Sequence, residues 1–221
     1  METWAALFDR AEAFGVDEAA IRSTLAERRD PGSGRDDRGA AVGDASDGRA
    51  DASDRASDGP APDPPSDDPS PARVVADADV LAADLLVGGD PRAALDGLRG
   101  HSWTTLVASD DLVADAETVI AALADSDLAA DWRERTEAWR EPVAHPAGDH
   151  PALASAYRGG AMHVLSSDDR LTAAGTGAGL NDRFPVSVRE PRAFATLFDA
   201  ESLYPEACEG AYPGPDRDPR A

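Results

Sequence analysis

The chain has 221 residues and a formal net charge of -22, from 43 acidic and 21 basic side chains. It contains 31 Asp and 12 Glu but no Lys and no Gln, so every basic residue is an arginine. Such a surface repels itself in dilute buffer, whereas near 1 M salt the Debye length falls to about 3 Å. We therefore expect a protein from the cytoplasm of a salt-accumulating halophile. An ordinary acidic protein from a GC-rich genome is the alternative.

The same composition excludes several classes of protein. Nucleic-acid binding through a broad basic surface is excluded, because counterion release needs many cations, so any such contact must be local. Cys208 is the single cysteine, which leaves no intrachain disulfide and no cysteine-based zinc site. The first residues are not basic, and no apolar run approaches the roughly 20 residues that span a bilayer. We expect a soluble, cytoplasmic protein.

Residues 1–29 are predicted to form a helical hairpin. Two short apolar stripes are separated by Gly15, and Asp17 can cap the second helix. The stripes are too small to fold alone, so we expect the hairpin to dock on a partner copy, another protein or the main domain. Residues 30–72 contain Asp, Ser, Gly, Ala, Pro and Arg with a single Val42 and no aromatic side chain, which predicts a disordered acidic linker.

Strands and helices alternate through residues 73–203. This order predicts an α/β domain with a mainly parallel sheet flanked by helices. The strands are expected at 73–77, 103–108, 162–165 and 186–188, and the helices at 78–87, 91–99, 110–124, 127–140, 151–158 and from 191. Residues 142–149 are expected to form a loop. The Pro and Gly content of residues 204–221 predicts a flexible tail.

Acidic side chains follow several of these predicted strands. Asp77 ends the first strand, Asp168 follows the strand at 162–165, and Asp115 lies two turns into the helix after the strand at 103–108. Functional side chains of parallel sheets gather just past the carboxyl ends of the strands. Carboxylates gathered there repel one another unless a cation such as Mg²⁺ or Mn²⁺ neutralises them, and that ion can activate water and bridge a phosphate. The pattern favours metal-assisted phosphodiester hydrolysis.

Three segments resemble motifs of the PIN nuclease domains. Val74–Leu81 is similar to the opening strand, in which an apolar run ends in the first catalytic acid, here Asp77. Ser109–Asp115 is similar to the second motif, with Asp115 in place of the usual Glu. Ala161–Asp168 resembles the late strand, in which a hydroxyl supports a further acid; Ser166 and Asp168 take these places.

The remaining PIN motif, an acid opening the helix before the late strand, matches imperfectly. The expected spacing from Asp168 reaches His150, with Asp149 one residue out of register. Either Asp149 reaches the site, or His150 acts as a ligand or general base, or the site is weakened. The resemblance covers about 130 of the 221 residues. It implies a ribonuclease that acts on single-stranded RNA with Mg²⁺ or Mn²⁺ held by Asp77, Asp115, Asp149 and Asp168, with catalytic roles for these acids, His150 and Ser166.

Two other functions stay open. The strand-following acids also resemble haloacid dehalogenase-like phosphatases, but that family uses a lysine and this chain has none. The second alternative is a PIN-like domain with an incomplete acid set, acting as a binding or regulatory module, since a fold can persist after its site changes. The hairpin would then serve as its docking element.

Other conspicuous side chains receive structural interpretations. His163 is expected in the core, and Trp132 and Trp139 in the core or an interface. Several arginines are candidates for local phosphate contacts, although ion pairing is favoured for most of them: Arg133, Arg135, Arg140, Arg158, Arg170, Arg183, Arg189 and Arg192. Five acids are expected to be helix caps or surface residues: Asp79, Asp84, Asp110, Asp111 and Asp169.

Overall fold

Short apolar strands and the helices between them build one domain in the computed structural model, which describes residues 2–29, 68–146, 148–173 and 186–221. The elements are α1 (Trp4–Glu12), α2 (Glu18–Arg29), β1 (Ser70–Ala76), α3 (Ala78–Leu86), α4 (Gly89–Arg99), β2 (Thr105–Ser109), α5 (Asp110–Leu123), α6 (Ser126–Glu137), β3 (Glu141–Val143), α7 (Pro151–Arg158), β4 (Ala161–Leu165), α8 (Asp169–Thr172), β5 (Ser187–Arg189), α9 (Pro191–Leu197) and α10 (Ala200–Ala207). None of the described helices is long and apolar enough to cross a membrane.

The five strands form one sheet in the order β3-β2-β1-β4-β5, and every described pairing is parallel. At its centre, Val74 of β1 lies opposite Leu106 of β2 and His163 of β4. Val75 and Ala76 are buried along with Val74, as expected for a strand with both faces covered. The predicted α/β class with a parallel sheet is confirmed.

The strand order contains one reversal. From β1 the chain moves through β2 to the edge at β3, then returns to the other side of β1 for β4 and β5. Right-handed crossovers place α3 to α6 on one face and α7 on the other. In agreement, α3 contacts α4 and α5, while α7 contacts β1, β2 and β4. Ligands bind α/β sheets at such a switch point, here the carboxyl ends of β1 and β4.

The amino-terminal hairpin docks on the main domain, one of the three expected outcomes. Helix α1 contacts α3 and α6, and α2 contacts α3 and α5. Ile21 and Leu25 of α2 are buried, as is the apolar stripe of α1, which consists of Trp4, Leu7, Phe8 and Ala11. Asp17 caps α2 as predicted, since its Oδ1 accepts a hydrogen bond from the Ala20 amide at 2.8 Å. Phe14 is 39% exposed, because α1 ends at Glu12 before the stripe reaches it.

Aromatic side chains fix the first helix of the hairpin. The Arg99 guanidinium lies 4.0 Å from the Trp4 ring and 4.6 Å from the Trp139 ring, and Arg92 lies 4.0 Å from Phe8. Each cation–π contact of this kind contributes about 0.5–2 kcal/mol, depending on its exposure. Trp139 therefore lies in the interface between hairpin and domain, and the expected structural role of the tryptophans is confirmed.

Two boundaries differ from the prediction. Strand β1 begins at Ser70, three residues before the predicted domain, so residues 70–72 are not part of a linker; residues 30–67 lie outside the described structure. Strand β3 lies at the start of the predicted loop at 142–149, where it pairs with the edge of β2. It has three residues including Pro142, too few for a periodic signal.

The prediction that residues 204–221 form a flexible tail is wrong, because this segment packs on the domain. Helix α10 continues to Ala207, and the residues after it lie against the domain. The Tyr212 hydroxyl lies 2.7 Å from Nε2 of His101, and the Ser102 amide donates to Oδ1 of Asp216 at 2.7 Å. The Pro and Gly content gave no sign of a helix in this segment. The segment is held on the domain by an aromatic contact with His101.

Asp84, expected to be a cap or a surface residue, is buried instead. It is 1% exposed, and both of its oxygens accept hydrogen bonds from the Arg99 guanidinium. The correction has a simple reason: Asp84 faces α4 from the middle of α3, and Arg99, at the end of α4, compensates its charge.

Candidate functional site

The carboxyl ends of β1 and β4 bring three of the predicted site residues together. Asp77 ends β1 and caps α3, with its Oδ1 accepting from the Ala78 amide at 2.8 Å. The Ser166 hydroxyl, just past β4, donates to Oδ2 of Asp77 at 3.2 Å and accepts from the Asp168 amide at 3.1 Å. Asp77 and Ser166 are fully buried. Ser166 therefore connects the Asp77 carboxylate to the backbone amide of Asp168.

Asp115 comes from the neighbouring unit of the fold. Ser109 ends β2 and caps α5, its hydroxyl accepting from the Leu112 amide at 3.2 Å, and this fixes the helix that carries Asp115. The Asp115 side chain is 14% exposed and lies against the end of α2. Its Oδ1 accepts from Nε of Arg28 at 2.6 Å.

The centre of the cluster is a cation that sequence reasoning missed. The Arg29 guanidinium donates to Oδ1 of Asp77 at 2.7 Å and to Oδ2 at 3.3 Å. Its Nε donates to Oδ2 of Asp115 at 3.2 Å, and its Nη1 lies 3.3 Å from Nε2 of His150. Arg29, the last residue of α2, thus joins side chains from three elements of the domain.

Of the two candidates for the imperfect motif, His150 joins the cluster. It occupies the position just before α7 without a side-chain capping bond, and because Arg29 donates to its Nε2, that nitrogen carries the lone pair of a neutral ring. Its Nδ1 is buried with no hydrogen-bond partner among the described residues. Asp149 is exposed, and no described member of the cluster bonds to its carboxylate. The residue at the expected spacing lies at the site, and the acid beside it does not.

Asp168 lies at the margin of the cluster. It caps α8, and its carboxylate binds the Arg170 guanidinium, with Oδ2 accepting at 2.7 Å. The hydrogen bond to Arg170 holds the pKa of Asp168 below its usual range. A cavity of about 420 Å³ separates this loop from α2, and its lining includes Arg22, Arg29 and Asp168.

The charges within the cluster are strongly coupled. Burial lowers the pKa of Arg29, but its bonds to Asp77 and Asp115 outweigh burial and raise that pKa above the usual value. Burial lowers the pKa of His150, which favours the neutral ring. Asp79 was expected to be a cap or a surface residue but is 3% exposed, and burial, then the Asp77 charge, raise its pKa to about 7.

The burial of Asp79 follows from its place in the first turn of α3, next to the loop after β4. Its Oδ2 accepts from the Ser167 amide at 2.8 Å, and its Oδ1 accepts from the Val80 amide at 2.7 Å. The Asp79 carboxyl therefore ties α3 to the loop that carries Ser166 and Asp168.

The donor set suits a hard divalent cation. Carboxylate oxygens are the preferred ligands of Mg²⁺ and Mn²⁺, and an imidazole also suits Mn²⁺. Asp77 and Asp115 already share one positive charge, that of Arg29. Across the described ranges, no three His, Cys, Asp or Glu side chains are grouped as a metal site. The Arg29 guanidinium lies between the Asp77 and Asp115 carboxylates, and it is wider than a bare metal ion.

Among the eight arginines considered for phosphate binding, those that form the favoured ion pairs in the described part of the chain include Arg133, Arg140 and Arg170. Arg133 binds Glu117 and Glu137, and Arg140 binds Asp110 and Glu137. Arg183 lies outside the described residues. Arg28 and Arg29 are the arginines that reach Asp77 and Asp115. The sequence offered one sign of this contact, their position at the end of a helix that must dock somewhere.

The chain belongs to DUF7384, a family of unknown function, whose sequence profile matches residues 68–220. The matched range includes all six predicted site residues and the packed carboxyl-terminal segment. It begins after the hairpin, so Arg28 and Arg29 lie outside it. No curated protein and no solved structure matches the chain.

Proposed function

We propose that this domain is a divalent-metal-dependent ribonuclease of the PIN type that hydrolyses phosphodiester bonds at the cluster around Asp77. One observation carries the proposal: two carboxylates and an imidazole, from three separate elements, meet around a single cation at the switch point of a parallel sheet. Such a cluster suits phosphodiester chemistry, because its charges can be balanced only by a cation that also attracts phosphate.

Each side chain has a role in this proposal. Asp77 and Asp115 would hold Mg²⁺ or Mn²⁺, which when bound lowers the pKa of a water molecule and offsets charge on the phosphate. Ser166 and the Ala78 amide fix the orientation of the Asp77 carboxylate. His150, neutral and with its Nε2 lone pair facing the cluster, is placed to accept a proton as general base.

The substrate we propose is single-stranded RNA bound by local contacts. The net charge of -22 opposes a long phosphate track, so few arginines can contribute. Arg22 is exposed and lines the cavity of about 420 Å³ beside Asp168, where it can meet a single phosphate. Contact at this one place would orient a flexible strand toward Asp77 without requiring a duplex.

The test is cleavage of labelled single-stranded RNA in molar KCl with Mn²⁺. Because Arg29 covers Asp77, the assay compares the wild type with the Arg28→Ala/Arg29→Ala variant, and that variant with and without Asp77→Asn. Asp77→Asn should reduce the cleavage rate by about 100-fold or more, the scale of losing one catalytic group. The matched control, the exposed Asp127→Asn, should leave it unchanged. Equal rates with and without Asp77→Asn would refute the proposal.

One observation favours the alternative of a PIN-like binding or regulatory module: Asp149 is exposed and contributes nothing to the cluster. Such a module would bind RNA equally well before and after the Asp77→Asn substitution, and it would cleave RNA in neither form. Fluorescence anisotropy of the same labelled RNA, measured beside the cleavage assay, separates the two functions.

We also propose that the protein works in the salt-rich cytoplasm of a halophile. The absence of Lys and the surplus of 22 negative charges support this setting. The free energy of unfolding should fall when KCl is lowered from about 2 M to about 0.05 M, where the Debye length exceeds roughly 10 Å. Unchanged stability across this range would contradict the proposal.

A further inference from the structure

We propose that the α1–α2 hairpin is an internal inhibitor of the acidic cluster and that Arg28 and Arg29 compete with a divalent cation for Asp77 and Asp115. The inference rests on the proposed function, because it concerns regulation of the same site. It starts from the position of two cations at the end of α2, where each bonds to an acid that the sequence assigned to the metal.

The competition follows from the number of acceptor sites on Asp77. A carboxylate offers about four lone-pair sites, two on each oxygen. Oδ1 of Asp77 accepts from Ala78 and Arg29, and Oδ2 accepts from Ser166 and Arg29. All four sites are therefore used while α2 is docked. A metal ion can bind Asp77 only where the guanidinium has left.

The charges are balanced in the same way. Arg28 and Arg29 together bring two positive charges to two carboxylates, which is the charge of one divalent ion. Asp115 is bound on both oxygens, by Arg28 on Oδ1 and by Arg29 on Oδ2. The cluster is thus neutralised without a metal, and the repulsion that would otherwise draw a cation in is already offset.

The hairpin is anchored separately from the residues that cover the acids. Trp4 and Phe8 hold α1 on Arg99 and Arg92, whereas Arg29 is the last residue of α2, with its side chain 18% exposed beside a cavity. Leu25 of α2 is buried as well, so only the last turn of α2, after Leu25, must withdraw to uncover the acids while α1 stays bound. Forty residues, 30–69, separate Arg29 from β1, and this covalent link means that dilution does not remove the inhibitor.

The experiment measures Mn²⁺ binding by calorimetry, in molar KCl, to the full-length wild type, Arg28→Ala/Arg29→Ala and Arg10→Ala. Arg10 lies in α1 of the same hairpin but pairs with Glu2 and Asp131, away from the cluster, which makes it the matched control. The double variant should bind Mn²⁺ at least about tenfold more tightly than the other two, because both carboxylates become free ligands. Addition of Mn²⁺ to the wild type should also accelerate hydrogen exchange at the end of α2 but not in α1.

Three outcomes are distinguishable. Equal Mn²⁺ affinity of the three proteins would overturn the inhibitor while leaving the metal site of the proposed function in place. Failure of all three to bind Mn²⁺ would overturn both proposals. Where the double variant does not fold, Arg28→Ala alone decides the matter: its side chain is 38% exposed, and its removal should still tighten Mn²⁺ binding severalfold by freeing Oδ1 of Asp115.

Discussion

The domain contains two aspartate–arginine pairs with a buried aspartate, one just before α3 and one within it. The two pairs differ in what surrounds the arginine. Asp84 pairs with Arg99, which is 3% exposed and stacked on aromatic rings. Asp77, immediately before α3, pairs with Arg29, which is 18% exposed at a helix end beside a cavity. Arg99 is enclosed by aromatic rings and cannot move away from Asp84. Arg29, at the edge of a cavity, can be exchanged for another cation.

Burial of the acid alone therefore does not distinguish a structural ion pair from a functional one. Asp77 and Asp84 are equally inaccessible, at 0% and 1%. The Asp84 pair is closed on every side, so its loss leaves a charge that water cannot reach. The Asp77 pair is open on one side, where water reaches the arginine and where, in our proposal, a metal ion replaces it. Three substitutions test this difference, and a fourth concerns a histidine outside both pairs.

The largest effect is expected at the enclosed pair. Asp84→Ala leaves Arg99 buried without its main partner and should reduce the free energy of unfolding by about 3–5 kcal/mol. Urea denaturation in molar KCl measures the loss. Asp127→Ala, an exposed acid, should change stability by less than about 0.5 kcal/mol. A loss at Asp84 no larger than at Asp127 would show that the pair is not structural.

The next effect tests how the two pairs are connected. Trp4 stacks on Arg99 and anchors the hairpin that carries Arg29. Trp4→Ala should therefore reduce the free energy of unfolding by about 3 kcal/mol and loosen both helices of the hairpin. Hydrogen exchange should accelerate in α1 and α2 more than in the strands. The exposed Phe14→Ala serves as the aromatic control and should leave exchange unchanged. Undisturbed exchange in α2 would mean that Arg29 holds the hairpin without Trp4.

A smaller effect is expected at the open pair. Asp77→Asn should reduce the free energy of unfolding by only about 1 kcal/mol, because Asn still accepts from Ala78 and Arg29 keeps Asp115 and reaches solvent. The measurement is the same urea titration used for Asp84→Ala. A loss as large as that of Asp84→Ala would erase the distinction between the pairs.

The smallest effect belongs to a histidine that takes part in neither pair. Burial, and then Arg189, lower the pKa of His163, so the folded protein keeps it neutral while the unfolded chain binds a proton below about pH 6.5. Its contribution is present above that pH and is lost as pH falls, with a slope of at most about 1.4 kcal/mol per pH unit. His163→Phe, which retains the contact with Phe194, should flatten this part of the pH profile. Identical profiles between about pH 8 and pH 5.5 would contradict the assignment.

The fold was largely predictable because its signals are local. An apolar run followed by an acid marked β1 and β4, and α5 begins at Asp110, where the predicted helix at 110–124 begins. Strand β3 was missed because three residues carry no periodicity. The carboxyl-terminal segment was misjudged because its contacts with His101 connect residues more than a hundred positions apart.

The candidate site was only partly predictable, for a related reason. Asp77, Ser166 and Asp168 lie at strand ends, and their convergence follows from the parallel sheet. Arg29 lies 48 positions from Asp77 along the chain, and nothing local links the two. In a chain with 31 aspartates, the burial of Asp84 could not be read from sequence, because its only marker is an arginine on another helix.

The position of the hairpin ahead of the domain has a consequence for synthesis. A ribosome completes α1 and α2 before β1, and Asp168, the last acid that the sequence assigned to the metal, emerges about 140 residues after Arg29. The hairpin is therefore already present on every newly made chain when its acidic cluster assembles. Under the proposed internal inhibition, a nuclease built in this order would leave the ribosome with its site covered, and its activity would begin only when α2 withdraws.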